Sequence, residues 1–155
     1  MASTVTASTM TVSISESITL NGKNQGGTQT LSIPSIATVS RRIIDVPASE
    51  VTLIQMGTAV SNGQYIESDV LYIRITNLDD TNHVTLLFKN EDNNEYAVKL
   101  DKGQTFIYNG DLADGVVDTM DAGASALTVG LADLVNITAT ANTAACDLEL
   151  FVACK

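Results

Sequence analysis

The chain predicts an all-β fold: an antiparallel β-sandwich or a jelly-roll-like barrel, in a single domain with a short N-terminal arm. Three observations carry this. Residues 69–109, DVLYIRITNLDDTNHVTLLFKNEDNNEYAVKLDKGQTFIYN, hold four short apolar segments separated by the polar turns LDDTN, NEDNN and DKGQ. Within each segment apolar and polar residues alternate, which is the period of a strand. The composition is rich in Ala, Val, Ile, Leu, Ser, Thr, Asn and Asp and lacks Trp, a mixture that favours strands and turns over helices. Short strands at about ten-residue spacing indicate a sandwich or barrel rather than βαβ units. At 155 residues one domain is expected, 10–155, preceded by a small, polar and flexible arm, 1–9.

Taken in order, residues 10–20 place Met10, Val12, Ile14, Ile18 and Leu20 on alternate positions, with Ser and Thr between them. Glu16 interrupts the row and marks a bend or bulge. The hydroxyl row is a solvated face or an edge that pairs with a neighbouring subunit. Residues 21–27, NGKNQGG, lack the phosphate-loop pattern GxxxxGK[ST] and close a hairpin, with Asn21-Gly22 as its turn. Residues 28–33 form the return strand, ended by Pro34. Residues 39–46 form a strand ended by Pro47 and carry the only basic cluster, Arg41 and Arg42. That pair reads either as surface ion-pairing residues or as an anchor to an acidic partner surface. Residues 49–56 form a strand with Val51, Leu53 and Gln55 on one face. Residues 57–68 form a long polar loop with Asn62-Gly63 at its centre and Tyr65 beyond. Loops of this length on a rigid scaffold are common contact sites, which makes Asn62 and Tyr65 candidate partner-binding residues beside Arg41 and Arg42.

The stretch 69–109 reads as an antiparallel meander. Leu71, Ile73 and Ile75 point one way, and Val84, Leu86 and Phe88 form the buried row of the second segment. Tyr96, Val98 and Leu100 follow, then Phe106 and Tyr108. A second layer must cover the apolar face of such a meander. The candidates for it are 10–20, 49–56, 134–139 and 146–154, with a short strand near 127–129. Within 134–139, Val135, Ile137 and Ala139 alternate with polar residues. The terminal strand sets Cys146, Leu148, Leu150, Val152 and Cys154 on one face and Asp147, Glu149, Phe151 and Ala153 on the other, a core strand by its pattern.

The formal net charge is −10, which argues against binding nucleic acid through its phosphates. No run of about 20 apolar residues is present to cross a bilayer. The start, MASTVTAST, lacks the basic and apolar regions of a secretory signal. Cys146 and Cys154 lie about 26 Å apart on an extended strand at about 3.3 Å per residue, too far for a disulfide. They read as reduced thiols packed as small apolar residues. His83 is the only histidine and has no Cys or Ser beside it in a recognisable arrangement. GxSxG and HExxH are absent. Asp111, Asp114, Asp118 and Asp121 crowd one loop without the EF-hand spacing, so a solvated acidic loop is expected and no metal or cofactor. An enzyme is not expected. The Asn136-Ile137-Thr138 sequon carries little weight without a signal sequence. A carbohydrate-binding or adhesion module is weighed and weakened by the lack of Trp, with Tyr65 the one aromatic left free for stacking.

The run YIRITNLDDTNHVTLLFKNEDNNEYAVKLDKGQTFIY resembles a pattern of small structural proteins of tailed bacteriophages: a strand ending in NxDxTN, a second strand, then an LxxGQ/E turn. DLVNITATANTAACDLELFVACK is similar to the ends of such proteins. The resemblance covers 72–108 and 133–155, about forty per cent of the chain. It implies a non-enzymatic virion protein assembled in the host cytoplasm, foremost a head decoration (cement) protein bound to the major capsid protein, otherwise a tail or neck component. A homo-oligomer is expected, a trimer foremost, with no nucleic-acid or membrane partner.

Overall fold

The computed structural model describes residues 4–61, 63–109, 118–120 and 131–155. Its strands are β1 (Ser8–Ser15), β2 (Thr19–Leu20), β3 (Lys23–Asn24), β4 (Thr28–Ile36), β5 (Thr38–Val46), β6 (Val51–Gly57) and β7 (Gln64–Ile66). After a 3-10 turn at Glu67–Asp69 come β8 (Val70–Asn77), β9 (Val84–Asn90), β10 (Glu95–Leu100), β11 (Thr105–Asn109), β12 (Asp118–Met120), β13 (Leu131–Ala141) and β14 (Cys146–Cys154). One sheet has the order β11-β8-β14-β5, and the other β10-β9-β13-β6-β7, with β12 pairing β13. All pairs are antiparallel except β6–β7. The two sheets pack face to face as a β-sandwich and do not close into a barrel.

The stretch 69–109 is therefore not one meander. β9 and β10 form a hairpin in one sheet, while β8 and β11 pair in the other. The LDDTN and DKGQ turns are corners between sheets, and alternation within a strand is the same whichever sheet receives it. Asn77, fully buried at the end of β8, holds both corners. Its Nδ2 donates to the carbonyls of Asn82 at 2.9 Å and Leu100 at 3.2 Å, and its Oδ1 accepts the Asp79 N–H at 3.0 Å. Its backbone N–H reaches the Gln104 carbonyl at 2.9 Å. A buried amide satisfied on both ends costs little to bury and fixes one geometry.

Between the sheets lie Val46, Met56, Ile73, Ile75, Leu86, Phe88, Leu134, Ile137, Leu148, Leu150 and Val152, all essentially excluded from water. Phe106 and Tyr108 pack against them, 5.1 and 6.3 Å from the Phe88 ring. Cys146 and Cys154 are free and buried on this face, as the terminal strand's pattern predicts. Burial, then Asp69, raises the Cys154 thiol to about 11, and burial raises that of Cys146 as well.

Three bulges move residues off the faces that simple alternation assigns. At Leu71 the β8–β14 register slips, so Val70 joins Ile73 and Ile75 inside while Leu71 turns outward beside Tyr72. In β6 a slip opposite Ile137/Thr138 leaves both Leu53 and Ile54 buried, with Met56 inside, and Gln55 instead donates to the Val135 carbonyl at 3.1 Å. In β13 the slip falls at Val135, so Leu134, Ile137, Ala139 and Ala141 form the inner row.

Residues 10–20 do not enter the sandwich. Among the described residues β1 pairs only with β4, and the two form a ribbon lying on the outer face of the four-stranded sheet. β1 starts at Ser8, inside the expected arm. β4 does not stop at Pro34: Pro34 and Ser35 form a bulge, with Ser35 at φ 64, and pairing resumes at Ile36. A missing N–H is tolerated at such a site. Near Glu16 the ribbon kinks, and the Glu16 N–H donates to the Gly27 carbonyl at 2.8 Å. A Cβ on Gly26 would stand 2.1 Å from the Glu16 carbonyl oxygen, so only glycine fits there. The tip is β2–β3, turning at Asn21-Gly22 with φ 50 and 77, the type I′ geometry that the Asn-Gly pair predicts.

Candidate interaction face

The outer face of the four-stranded sheet carries the features that the core does not explain. Leu71, Tyr72, Ala153, Ile107 and Phe151 present an apolar strip there, covered by Met10, Val12, Leu31, Ile33 and Ile36 of the ribbon. The strip ends before the ribbon does. Ile14, Ile18 and Leu20 continue the same apolar row yet are 45%, 48% and 54% exposed. The expectation that this row helps form the second layer of the core is thus not met: Met10 and Val12 are partly buried against the outer face, and the other three are exposed. On the other side of the ribbon, Ser13 meets Thr30 at 3.4 Å and Ser15 meets Thr28 at 3.1 Å, a solvated hydroxyl ladder.

Where the ribbon leaves the sheet it overhangs a groove of about 400 Å³ lined by Met10, Val12, Ile14, Tyr72, Arg74, Ile107 and Phe151. A second groove of about 280 Å³ opens on its other flank, past Gln29, Leu31 and Asn109. Both share Val12, Ile14, Tyr72 and Ile107, so Ile14 hangs over apolar surface that it does not fill.

Beside the strip lies a charged network. Strand alternation sends the two adjacent arginines to opposite faces. Arg42 goes inward, and its guanidinium donates to the Leu53 carbonyl at 2.6 Å. Arg41 goes outward and binds Glu149 through Nε at 2.9 Å and an Nη at 2.5 Å. Arg74 binds the other oxygen of Glu149, donates to Thr76 at 2.8 Å and lies 5.8 Å over the Phe151 ring. The hydrogen bonds from Arg41, then Arg74, hold the Glu149 carboxyl below its ordinary value. The site so built carries one more positive than negative charge. The basic cluster expected of Arg41 and Arg42 is not formed; Arg41 and Arg74, far apart in the chain, form one instead. Only a pattern of pairing could have revealed it, because Arg41 and Arg74 both stand opposite Phe151 in register.

Tyr65 is not free for stacking. It lies in β7, half-buried against the core, so residues 57–68 are partly strand rather than an open loop. Asn62 falls outside the described residues, as do 127–129 and, apart from the strand residues 118–120, the acidic stretch 110–121. Tyr96 is the only aromatic exposed among the described residues, and it stacks on Phe88 at 4.6 Å. The Asn136 sequon lies within β13, paired on both sides.

At the corner end, Asp45, Asp79, Asp80 and Asp147 line a polar cleft of about 470 Å³. Asp79 is occupied as a turn acceptor: the N–H groups of Asn82 at 2.5 Å and Thr81 at 2.7 Å bind its carboxylate and lower its affinity for a proton. No group of three or more His, Cys, Asp or Glu among the described residues is placed to hold a metal ion.

The charge is unevenly distributed. Residues 1–40, which include the ribbon, hold one Lys and one Glu, and the whole net charge of −10 resides in 41–155. No protein-family model matches the chain, and no curated protein matches it in sequence.

Proposed function

We propose that this is a non-catalytic structural module that binds its partner through the ribbon tip, and that it serves as a virion subunit, foremost a head decoration protein seated on the capsid shell. The observation that carries the reading is the overhanging ribbon. It presents Ile14, Ile18 and Leu20 to solvent on an element with no net charge, while the remaining chain is strongly acidic. Exposed apolar rows of this kind mark interaction surfaces. A ribbon without net charge, its one Glu balanced by its one Lys, approaches a partner without the repulsion that the acidic body would meet. The likeness of the 72–108 and 133–155 segments to phage structural proteins supplies the partner class. Many weak contacts on a lattice then add to firm attachment.

The test is peptide mass spectrometry of purified phage particles, together with co-sedimentation of the recombinant chain with shells lacking it. The chain is expected in many copies per particle. Ile18→Asp with Leu20→Asp should leave it in the supernatant, while changing folding stability by less than about 0.5 kcal/mol, as exposed substitutions do. Absence from purified particles would overturn the virion reading. Undiminished sedimentation of the double variant would overturn the role of the tip.

A further inference from the structure

We infer that β5 is a self-association edge, through which two copies of this chain pair antiparallel about a two-fold axis at Ile43. β5 ends the four-stranded sheet: β14 pairs with it on one side, and among the described residues no strand pairs with the other. Such an edge presents a row of N–H and C=O groups to any strand that fits. β5 is nine residues long, and the apolar cluster under the ribbon draws on β8, β14 and β11 but, among the described residues, on none of β5. Ile43, on its outer face, is 64% exposed.

The charges choose the occupant. Arg41 and Asp45 flank Ile43 on the same face of the strand. In an antiparallel pair centred on Ile43, each Arg41 stands opposite the partner's Asp45, and Ile43 meets Ile43. Centring the pair on residue 42 sets Arg42 against Arg42. Centring it on residue 44 leaves Asp45 opposite Ile43 and Arg41 opposite Pro47. One register alone satisfies both charges, and opposite charges across a strand pair stabilise it where like charges do the reverse.

The surroundings of the two charges sharpen this. Arg41 belongs to the network with one surplus positive charge, and its side chain is still 67% exposed. Asp45 stands opposite Asp147 on β14, shares its cleft with Asp79 and Asp80, and makes no ion pair among the described residues. A lone chain thus holds an unfavourable acidic pairing that a second copy's guanidinium relieves. The same patch serves both partners, which is the geometry of a closed two-fold dimer. The inference does not rest on the virion reading, since it uses only the edge and its charges.

Sedimentation velocity of the full chain from micromolar to millimolar concentration tests it. A dimer is expected. Asp45→Arg alone and Arg41→Asp alone should each weaken it about tenfold or more, because two symmetry-related pairs turn repulsive at once. Mixing the two variants should restore a heterodimer, since each Arg then meets an Asp. Circular dichroism confirms that each variant is folded. As a second measurement, Ile43→Cys should cross-link to itself under mild oxidation, while the buried Cys146 and Cys154 do not. A monomer at every concentration, an oligomer indifferent to both substitutions, or a mixture that fails to reassociate would overturn the inference.

Discussion

The four-stranded sheet has two faces that the same strands build to opposite ends. Inward, β8 and β14 interleave Ile73, Ile75, Leu148, Leu150 and Val152, with no charge and no exposed atom of consequence. Outward, the alternate residues of those strands are Tyr72, Arg74, Asp147, Glu149, Phe151 and Ala153, partly covered by a ribbon that does not reach the whole face. The inner face is closed and holds the fold together. The outer face is half closed: a two-stranded cover adds some stability and leaves apolar and charged groups exposed to solvent. Because one residue in two serves each face, substitutions a single position apart should have effects of different kind and size.

The largest effect is expected at the inner face. Leu150 sits in the central strand opposite Ile75 and Arg42, with 1% of its surface exposed. Leu150→Ala should lower the free energy of unfolding by about 3–5 kcal/mol, the upper range for a cavity that neighbours on both sides cannot fill. Urea denaturation followed by circular dichroism measures it. A loss under about 1 kcal/mol would mean that the inner face is not the closed core described.

The next effect lies at the ribbon root. Ile33, on the ribbon's inner side, is buried against the outer face of the four-stranded sheet, not between the sheets. Ile33→Ala should cost about 2–3 kcal/mol locally. Its signature should be local too: faster amide exchange across β1 and β4, with β8, β9 and β14 still protected, because an element attached through one face opens on its own. Uniform loss of protection across all strands would erase the distinction between cover and core.

Much of this architecture was legible in the sequence, and the failures share a physical cause. The all-β class, the terminal strand with its inward Cys146-to-Cys154 row, the inner row of β9 and the Asn21-Gly22 turn all follow from local period and turn chemistry. Alternation says that a residue is buried but not by what. So Met10–Leu20 read as core when it is a cover, and β8 to β11 read as one meander when the corners at 78–83 and 101–104 divide it between sheets. Bulges at Leu71, Leu53 and Val135 shift the parity by one, and no local signal marks them. The candidate face was least legible. Arg41 and Arg42 are neighbours in the chain and point apart, whereas Arg41, Arg74 and Glu149 converge only through strand order.

The smallest effect, and the one that separates the faces most finely, concerns Glu149. Its neighbours in β14, Leu148 and Leu150, face the core, while Glu149 is 9% exposed on the outer side between two guanidinium groups. Hydrogen bonds from Arg41, then Arg74, favour its ionised form in the folded state, so its carboxyl titrates below the ordinary 4.5. A group whose affinity for protons falls on folding stabilises the protein above its unfolded value and loses that contribution as the pH drops through the folded one. The stability difference between the native chain and Glu149→Gln should therefore be constant from about pH 7 to about pH 5. It should shrink below about 4.5 and level off once Glu149 is protonated in both states. Asp79 titrates in the same direction but is present in both proteins, so it cancels from the difference. Urea midpoints of the two proteins across this range give the curve. A difference that ignores pH would mean that Arg41 and Arg74 hold Glu149 by shape rather than by charge, and the outer face would then be a packing surface like the inner one.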